Sequence, residues 1–349
     1  MYPSRNRQSR ISQSKKGIII SHPSCGGGYE GVGAEDAANG RQCTYHGCPI
    51  RRAPLRIDEE HFLRYHLCNI PKGGEVPVAE INIFSKNAAY QKFEVLKSNR
   101  NKRYKYNEFL VEGVRSLNEA VKNGWKIKSL LYDPKQLSGW AREMIRTTPT
   151  EVNYCLTPEL MRDLSGKGDT SELMAIIEMR RDDLSSLKLS ETPFLVLFDR
   201  PSNRGNLGTM IRSCDALGAD ALLITGHAVD LYDPDVVVSA MGSFFNLPVI
   251  RVEDNNDLFA YVELLRRQYP GFTLLGTTAH KELPVYNADL TKPLMLMMGN
   301  ETMGLNKAFK EACDVLCTIP MAESSYASSF NVSCAASILM YEITRQRKG

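Results

Sequence analysis

The sequence predicts an α/β protein in which a small α/β domain precedes a larger domain built on a mostly parallel sheet. Six apolar runs after Pro193 (FLVLF, ALLIT, LPVIRV, FTLLGT, LMLMM and VLCTIP) alternate with helical segments to the C-terminus. Strands that are apolar on both faces and separated by helices lie in parallel sheets covered on both sides. Between about residues 81 and 185, shorter helical and strand patterns alternate, enough for a second, smaller layer pair. At 349 residues, 43% of them hydrophobic and 24% charged, the chain can bury two such cores. No run of 18 apolar residues occurs, so no membrane-spanning helix is predicted.

Residues 1–80 are rich in Gly, Ser, Arg and Pro without sustained periodicity and read as an irregular extension. Arg5, Arg7, Arg10, Lys15 and Lys16 precede the first acid, Glu30, which suits a flexible RNA-binding arm or an organelle transit peptide. Gly26–Gly31 formally matches GxGxxG, but Asn39-Gly40 ends any following helix within two turns, so no dinucleotide site is predicted. Cys25, Cys43, His46, Cys48, His61, His66 and Cys68 fit no standard zinc-finger spacing. Unligated thiols are the favoured interpretation and zinc the alternative. Nine cysteines in a long chain with no secretory signal predict free thiols in a reducing, cytoplasmic setting.

In FLVEGVRSLNEAV, Val114, Leu117, Ala120 and Val121 recur at helical spacing, and KSLLYD follows as a strand closing on Asp133-Pro134. RRDDLSSLKLSETP reads as a linker, and Ser165–Gly168 as a plain loop. The segment 86–105 carries Lys86, Lys92, Lys97, Arg100, Lys102, Arg103 and Lys105 against Glu94 alone. Tyr90, Phe93, Tyr104, Tyr106 and Phe109 are interleaved or lie just beyond. Basic side chains hold phosphates and aromatic faces stack on bases, so this is a candidate RNA surface. A solvated, charged helix face is the plainer alternative.

Parallel sheets bind ligands in the loops at the carboxyl ends of their strands, and three such loops are polar here. After FLVLF comes DRPSNRGNLGTMIRSCDALGADALLI, residues 199–224. Its turn carries Asn203, its helix has the stripe Leu207, Met210, Ile211, Cys214 and Leu217, Gly218 is the stop, and Arg212 lies off the stripe. After LMLMM comes GNETMG, Gly299–Gly304. Two glycines there permit close backbone approach to a ligand around Asn300 and leave the Glu301 carboxylate at a strand end. After VLCTIP, Ser329, Asn331 and Ser333 cluster at the start of the last helix, where side chains and free N–H groups can grip a polar ligand.

These three blocks, with the intervening VSAMGSFFNLPV, resemble the motifs of the SpoU–TrmH family, S-adenosylmethionine-dependent RNA ribose 2′-O-methyltransferases of the SPOUT superfamily. The likeness is strong over about 190–349. Within 81–185, INIFSKNAAYQKFEVLK, FLVEGVRSLNEAV and LTPELMRDLSGKGDTSELMAII look like the family's small, ribosomal-protein-like substrate-binding domain. The resemblance implies a trefoil-knotted C-terminal domain, a homodimer with its site completed across the interface, and no metal. It implies S-adenosylmethionine held by Thr277 and Thr278, the turn at Gly299, Asn300 and Gly304, the strand end at Ile319 and Pro320, and Phe330 with Asn331. Phe330 stands where family members usually have Leu, and Arg204 where Pro is frequent, a position with no expected chemical role.

By the same resemblance Asn203, Arg212, Glu301, Ser329 and Asn331 form the catalytic set, and it tips the basic run toward RNA binding, with Lys97, Arg100, Lys102, Arg103 and Lys105 as the candidate contacts. A ribose hydroxyl is a poor nucleophile, so the site must align it with the methyl and stabilise developing negative charge. A guanidinium keeps its proton in proteins. Arg212 is therefore expected to act by charge and phosphate anchoring, with Glu301 and Asn203 positioning it or the ribose. Large-subunit ribosomal RNA is the expected substrate and transfer RNA the alternative. A non-catalytic RNA-binding or assembly factor with the same fold is the rival, and the intact polar set argues against it.

Overall fold

The computed structural model describes residues 78–165, 170–278 and 282–348. The glycine, cysteine and histidine motifs of the N-terminal extension, and all but Ser165 of the Ser165–Gly168 loop, lie outside the described residues. The smaller layer runs β1 (Ala79–Ile83), α1 (Ala88–Ser98), α2 (Arg100–Tyr106), β2 (Glu108–Glu112), α3 (Val114–Lys122), β3 (Ile127–Tyr132), α4 (Gly139–Thr147), β4 (Val152–Leu156), α5 (Pro158–Ser165) and β5 (Leu173–Glu178). Its sheet has the order β1-β4-β3-β5-β2, with β5 antiparallel to both neighbours. Asn87, Asn99 and Ser138 cap α1, α2 and α4 by accepting a first-turn backbone N–H, which fixes where each helix begins.

The pleat of β2 sends Leu110 to one face, among Tyr90, Phe93 and Leu96 of α1 and Leu160 and Leu164 of α5. Phe109 and Val111 point to the other face, against Leu117 and Ala120 of α3. Val114 and Val121 of that helix face solvent instead. The second face does not end with the smaller layer. Phe109 packs on Tyr232, Phe244 and Phe245, and Trp125 Nε1 donates to the Phe245 carbonyl at 2.9 Å. The two sheets share one apolar core. Tyr90, Phe93 and Phe109 are therefore core residues and not stacking surfaces, because each closes a sheet face. Half-buried Tyr104 donates to Asp230 at 2.7 Å, and Tyr106 alone of the five reaches solvent freely.

The larger layer runs β6 (Phe194–Asp199), α6 (Arg204–Ala216), β7 (Ala221–Thr225), α7 (Pro234–Ser239), α8 (Ser243–Asn246), β8 (Val249–Val252), α9 (Asn255–Gln268), β9 (Thr273–Thr277), β10 (Leu283–Pro284), β11 (Leu294–Met298), α10 (Lys307–Ala312), β12 (Val315–Thr318) and α11 (Val332–Lys348). Its seven strands are all parallel, in the order β10-β12-β9-β11-β6-β7-β8. Leu195, Leu197, Met295 and Met297 face α9 and α10, while Val196, Phe198, Leu296 and Met298 face α6 and α11. Burial on both faces explains the unbroken apolar runs. All six runs are strands, and among the described residues of this layer the two-residue β10 is the one strand they do not announce. The 180–193 segment is fastened rather than loose: Leu184, Leu187 and Leu189 pack on the α9 side, and Asp182 pairs with Arg251.

Candidate active site

The carboxyl ends of β9, β11 and β12 meet around a cavity of about 400 Å³, within the range of small-molecule sites. Thr277, Thr278, Gly299, Asn300, Gly304, Ile319 and Phe330 of the expected cofactor set line it, as do Glu301 and Ser329. Pro320, Asn331, Asn203 and Arg212 do not. Its walls are apolar at Met298, Leu305, Val332 and Leu339.

The loop after β11 is a tight closure. Asn300 and Gly304 exchange backbone hydrogen bonds at 3.1 and 3.0 Å, and Asn300 Oδ1 accepts from the Thr302 and Met303 N–H groups at 2.9 Å each. A Cβ on Gly299 would lie 2.1 Å from the Leu305 nitrogen. The close approach predicted for Gly299 is thus to the loop's own backbone. Arg200, at φ 51°, anchors this loop: its carbonyl accepts from Asn300 Nδ2 at 2.7 Å and its guanidinium donates to the Gly304 carbonyl at 3.1 Å. Buried Asp199 accepts from the Asn306 N–H at 3.0 Å, tying the far side of the loop to β6.

Glu301 joins this loop to α6. Its Oε2 accepts from the Ser202 N–H at 3.0 Å and the Ser202 hydroxyl at 2.6 Å, and its Oε1 from the Asn203 N–H and Asn206 Nδ2 at 3.2 Å each. Burial alone would push this carboxyl up. The Ser202 hydroxyl and N–H, its own N–H and the Asn206 amide outweigh burial and hold it below the ordinary glutamate value. Asn203 caps α6 by accepting the Asn206 N–H at 3.0 Å. Asn331 caps α11 by accepting the Ser333 N–H at 3.0 Å, and its Nδ2 reaches Asn206 Oδ1 at 3.1 Å. Buried Ser333 donates to the Asn206 carbonyl at 2.9 Å.

Asn206 is therefore the hub, bonded to Asn203, Glu301, Asn331 and Ser333, and sequence reasoning missed it. The one available signal was its place in the first turn of a helix that follows a strand end. Arg212 is not drawn into this cluster. It lies on the exposed stripe of α6 with Gly205, Thr209 and Ala216, and makes no hydrogen bond or ion pair with a described residue.

The expected RNA-binding set divides. Arg103 is a correction: it is 1% exposed, its Nε and Nη2 meet Asp230 at 2.7 and 2.6 Å, and Nη2 lies 3.4 Å from Asp233. It also donates to the carbonyls of Leu96 and Lys97. Two acids from the larger layer and a helix end consume its charge, leaving none for phosphate. Lys97 is half-buried and donates to the Leu164 and Ser165 carbonyls at the end of α5. Arg100 is exposed and donates to the Ala228 carbonyl at 2.9 Å, Lys105 is exposed, and Lys102 is half-exposed. Arg204 has a structural task after all: its Nε lies 3.1 Å from Asp233, joining the first turn of α6 to the start of α7. Among the described residues Cys155, Cys214, Cys313, Cys317 and Cys334 form no disulfide, and burial pushes Cys313 and Cys317 up to about 12.

A wholly parallel sheet with a small-molecule cavity and a polar loop cluster at its carboxyl edge, fused to a mixed-sheet layer, is the architecture of the SpoU rRNA methylases, and the chain belongs to that family. Residues 193–341 match the SpoU rRNA Methylase family and residues 87–175 the SpoU L30e-like domain. The chain is 44% identical, over 79% of its length and 96% of the relative's, to the 23S rRNA (uridine(2479)-2′-O)-methyltransferase of Streptomyces viridochromogenes. It is 28% identical, over 70% of its length and 91% of the relative's, to the 23S rRNA (guanosine(2553)-2′-O)-methyltransferase RlmP of Bacillus subtilis (strain 168). The crystal structure of the SpoU methyltransferase AviRb from Streptomyces viridochromogenes, in complex with AdoMet, matches with a TM-score of 0.71 at 43% identity, covering 75% of this chain and 99% of that one.

Proposed function

We propose that the chain is an S-adenosylmethionine-dependent methyltransferase acting on the 2′-hydroxyl of one ribose in large-subunit ribosomal RNA, working as a cytoplasmic homodimer. The observation that carries this is the Glu301–Asn206–Asn331 cluster set beside the cavity in a member of the SpoU family. The residues present fit the cofactor: the apolar walls suit an adenosine, and the loop and strand ends around Gly299 and Ile319 offer main-chain polar groups. When bound, S-adenosylmethionine supplies an activated methyl on a sulfonium, so neither metal nor covalent intermediate is needed. Residues 81–185 act as the substrate-binding domain and 190–349 as the methyltransferase domain. A groove of about 800 Å³ lies between them, lined by Ser98, Arg100, Ser202–Gly205 and Val238 and by the acids Asp230, Asp233 and Asp235.

The cluster's task is rigidity. Both carboxylate oxygens of Glu301 are held, so Asn203, Asn206 and Asn331 keep fixed positions beside the cavity while the ribose is aligned. Arg212 supplies positive charge for the developing alkoxide and an RNA phosphate, and solvent or phosphate takes the proton. Its exposed place on α6 suits a site completed by a second copy. Beside it α11 presents Cys334, Ile338 (38% exposed) and Tyr341 (60% exposed) at helical spacing, an apolar stripe open to solvent. The Ile319–Phe330 segment and the Gly299–Gly304 loop, which line the same cavity, are where the trefoil threading would lie.

Methyl transfer from labelled S-adenosylmethionine to unmodified ribosomal and transfer RNA tests the function, with the modified ribose mapped in the product. Label at one ribose of large-subunit RNA is the expected result. Label on transfer RNA alone would replace the substrate, and no label together with no cofactor binding would leave a non-catalytic RNA binder. Light scattering tests the assembly: the wild type should have the mass of two chains and Tyr341→Glu that of one, with methyl transfer lost. A wild-type mass of one chain would remove the shared site.

A further inference from the structure

The cavity has two charged side chains among its described lining residues, Glu301 and Lys310. They are not equivalent. Both carboxylate oxygens of Glu301 are occupied by donors from Ser202, Asn203 and Asn206, so it presents no open acceptor to a ligand. Lys310, on α10, is exposed, and its ammonium makes no hydrogen bond or ion pair with a described residue. The neighbouring Lys307 is paired with Glu311 at 3.6 Å, so an internal partner was available to one lysine of this helix and not taken by the other.

A lysine lining a cavity walled by Met298, Leu305, Val332 and Leu339 offers its charge to an anionic group entering that cavity. A molecule of S-adenosylmethionine carries one anionic group, the carboxylate of its amino-acid end. Resting on the interpretation of this cavity as the S-adenosylmethionine site, we propose that Lys310 anchors the cofactor's carboxylate and so fixes which end of the molecule faces α10. The apolar walls are then left for its uncharged parts. A charge-assisted hydrogen bond of this kind is worth about tenfold in affinity.

Isothermal titration of S-adenosylmethionine and of its decarboxylated form, with wild type, Lys310→Met and Lys310→Arg, tests this without any turnover. The wild type should bind S-adenosylmethionine about tenfold more tightly than the decarboxylated compound. Lys310→Met should lose that tenfold and bind the decarboxylated compound within about twofold of wild type, while Lys310→Arg keeps most of the discrimination. Equal weakening of both compounds by Lys310→Met would overturn the proposal, since only packing would then have been removed. Unchanged binding of both with weakened RNA binding would also overturn it and make Lys310 a phosphate contact. Wild type binding neither compound would remove the cofactor interpretation and the proposal together, an outcome distinct from any confined to the variants.

Discussion

Arg212→Ala is expected to lower methyl-transfer turnover by about 10²–10³-fold, equivalent to about 2.7–4 kcal/mol of lost transition-state stabilisation. Cofactor affinity and folding stability should stay at wild-type values, because Arg212 is exposed and touches neither the cavity nor a described partner. An exposed substitution of this kind changes stability by less than about 0.5 kcal/mol. Arg212→Lys should recover only part of the loss, since an ammonium is a point charge without the planar fork that holds two oxygens at once. Single-turnover methyl transfer with saturating RNA measures the effect. A fall of less than tenfold in Arg212→Ala, or full activity in Arg212→Lys, would contradict charge stabilisation by a bidentate group.

Arg103→Met is the second large effect, and it falls on stability. The substitution keeps an apolar stem of similar length but leaves Asp230 buried without its cation and Asp233 with Arg204 alone. Breaking one side of a buried ion pair costs about 3–5 kcal/mol, a large share of the 5–15 kcal/mol of a typical fold. Arg204 and Tyr104 still reach these acids, at 3.1 and 2.7 Å, which keeps the loss from being larger. Urea unfolding should show a midpoint well below that of wild type, while Arg100→Ala, an exposed neighbour on the same helix, should not move it. A loss under about 1 kcal/mol would mean that the pair is not desolvated.

The contrast between Arg100 and Arg103 marks where sequence reasoning stops. Both sit in one basic run, and nothing local distinguishes them. Arg103 is buried because its acids arrive 127 and 130 residues later, from a loop whose own sequence looks like an ordinary turn. Asn206 was hidden in the same way. Beside Asn203 it looks like one more polar residue in a helix's first turn, and only Glu301 and Asn331, from two other strand ends, make it a hub. The strands and the α6 stripe were legible because each is a local periodicity: Leu207, Met210, Ile211 and Cys214 are all fully buried, as their spacing requires. The three motif loops were legible for a different reason, because parallel topology puts strand carboxyl ends together. What Glu301, Asn206 and Asn331 grip across the loops depends on separations of 95 residues and more, which no local pattern encodes.

The core shared by the two sheets gives the order of synthesis a consequence. Trp125 and Phe109 are made early, and the backbone carbonyl that Trp125 needs belongs to Phe245, 120 residues further on. At typical translation rates of about 5–20 residues per second, the smaller layer waits roughly 6–24 s for that partner. For that interval it is a half-finished body with an aromatic face turned to the cell. Closing that face late fixes the orientation of the two layers in the same event that completes the fold, so the enzyme leaves the ribosome with its smaller layer already set against the larger one.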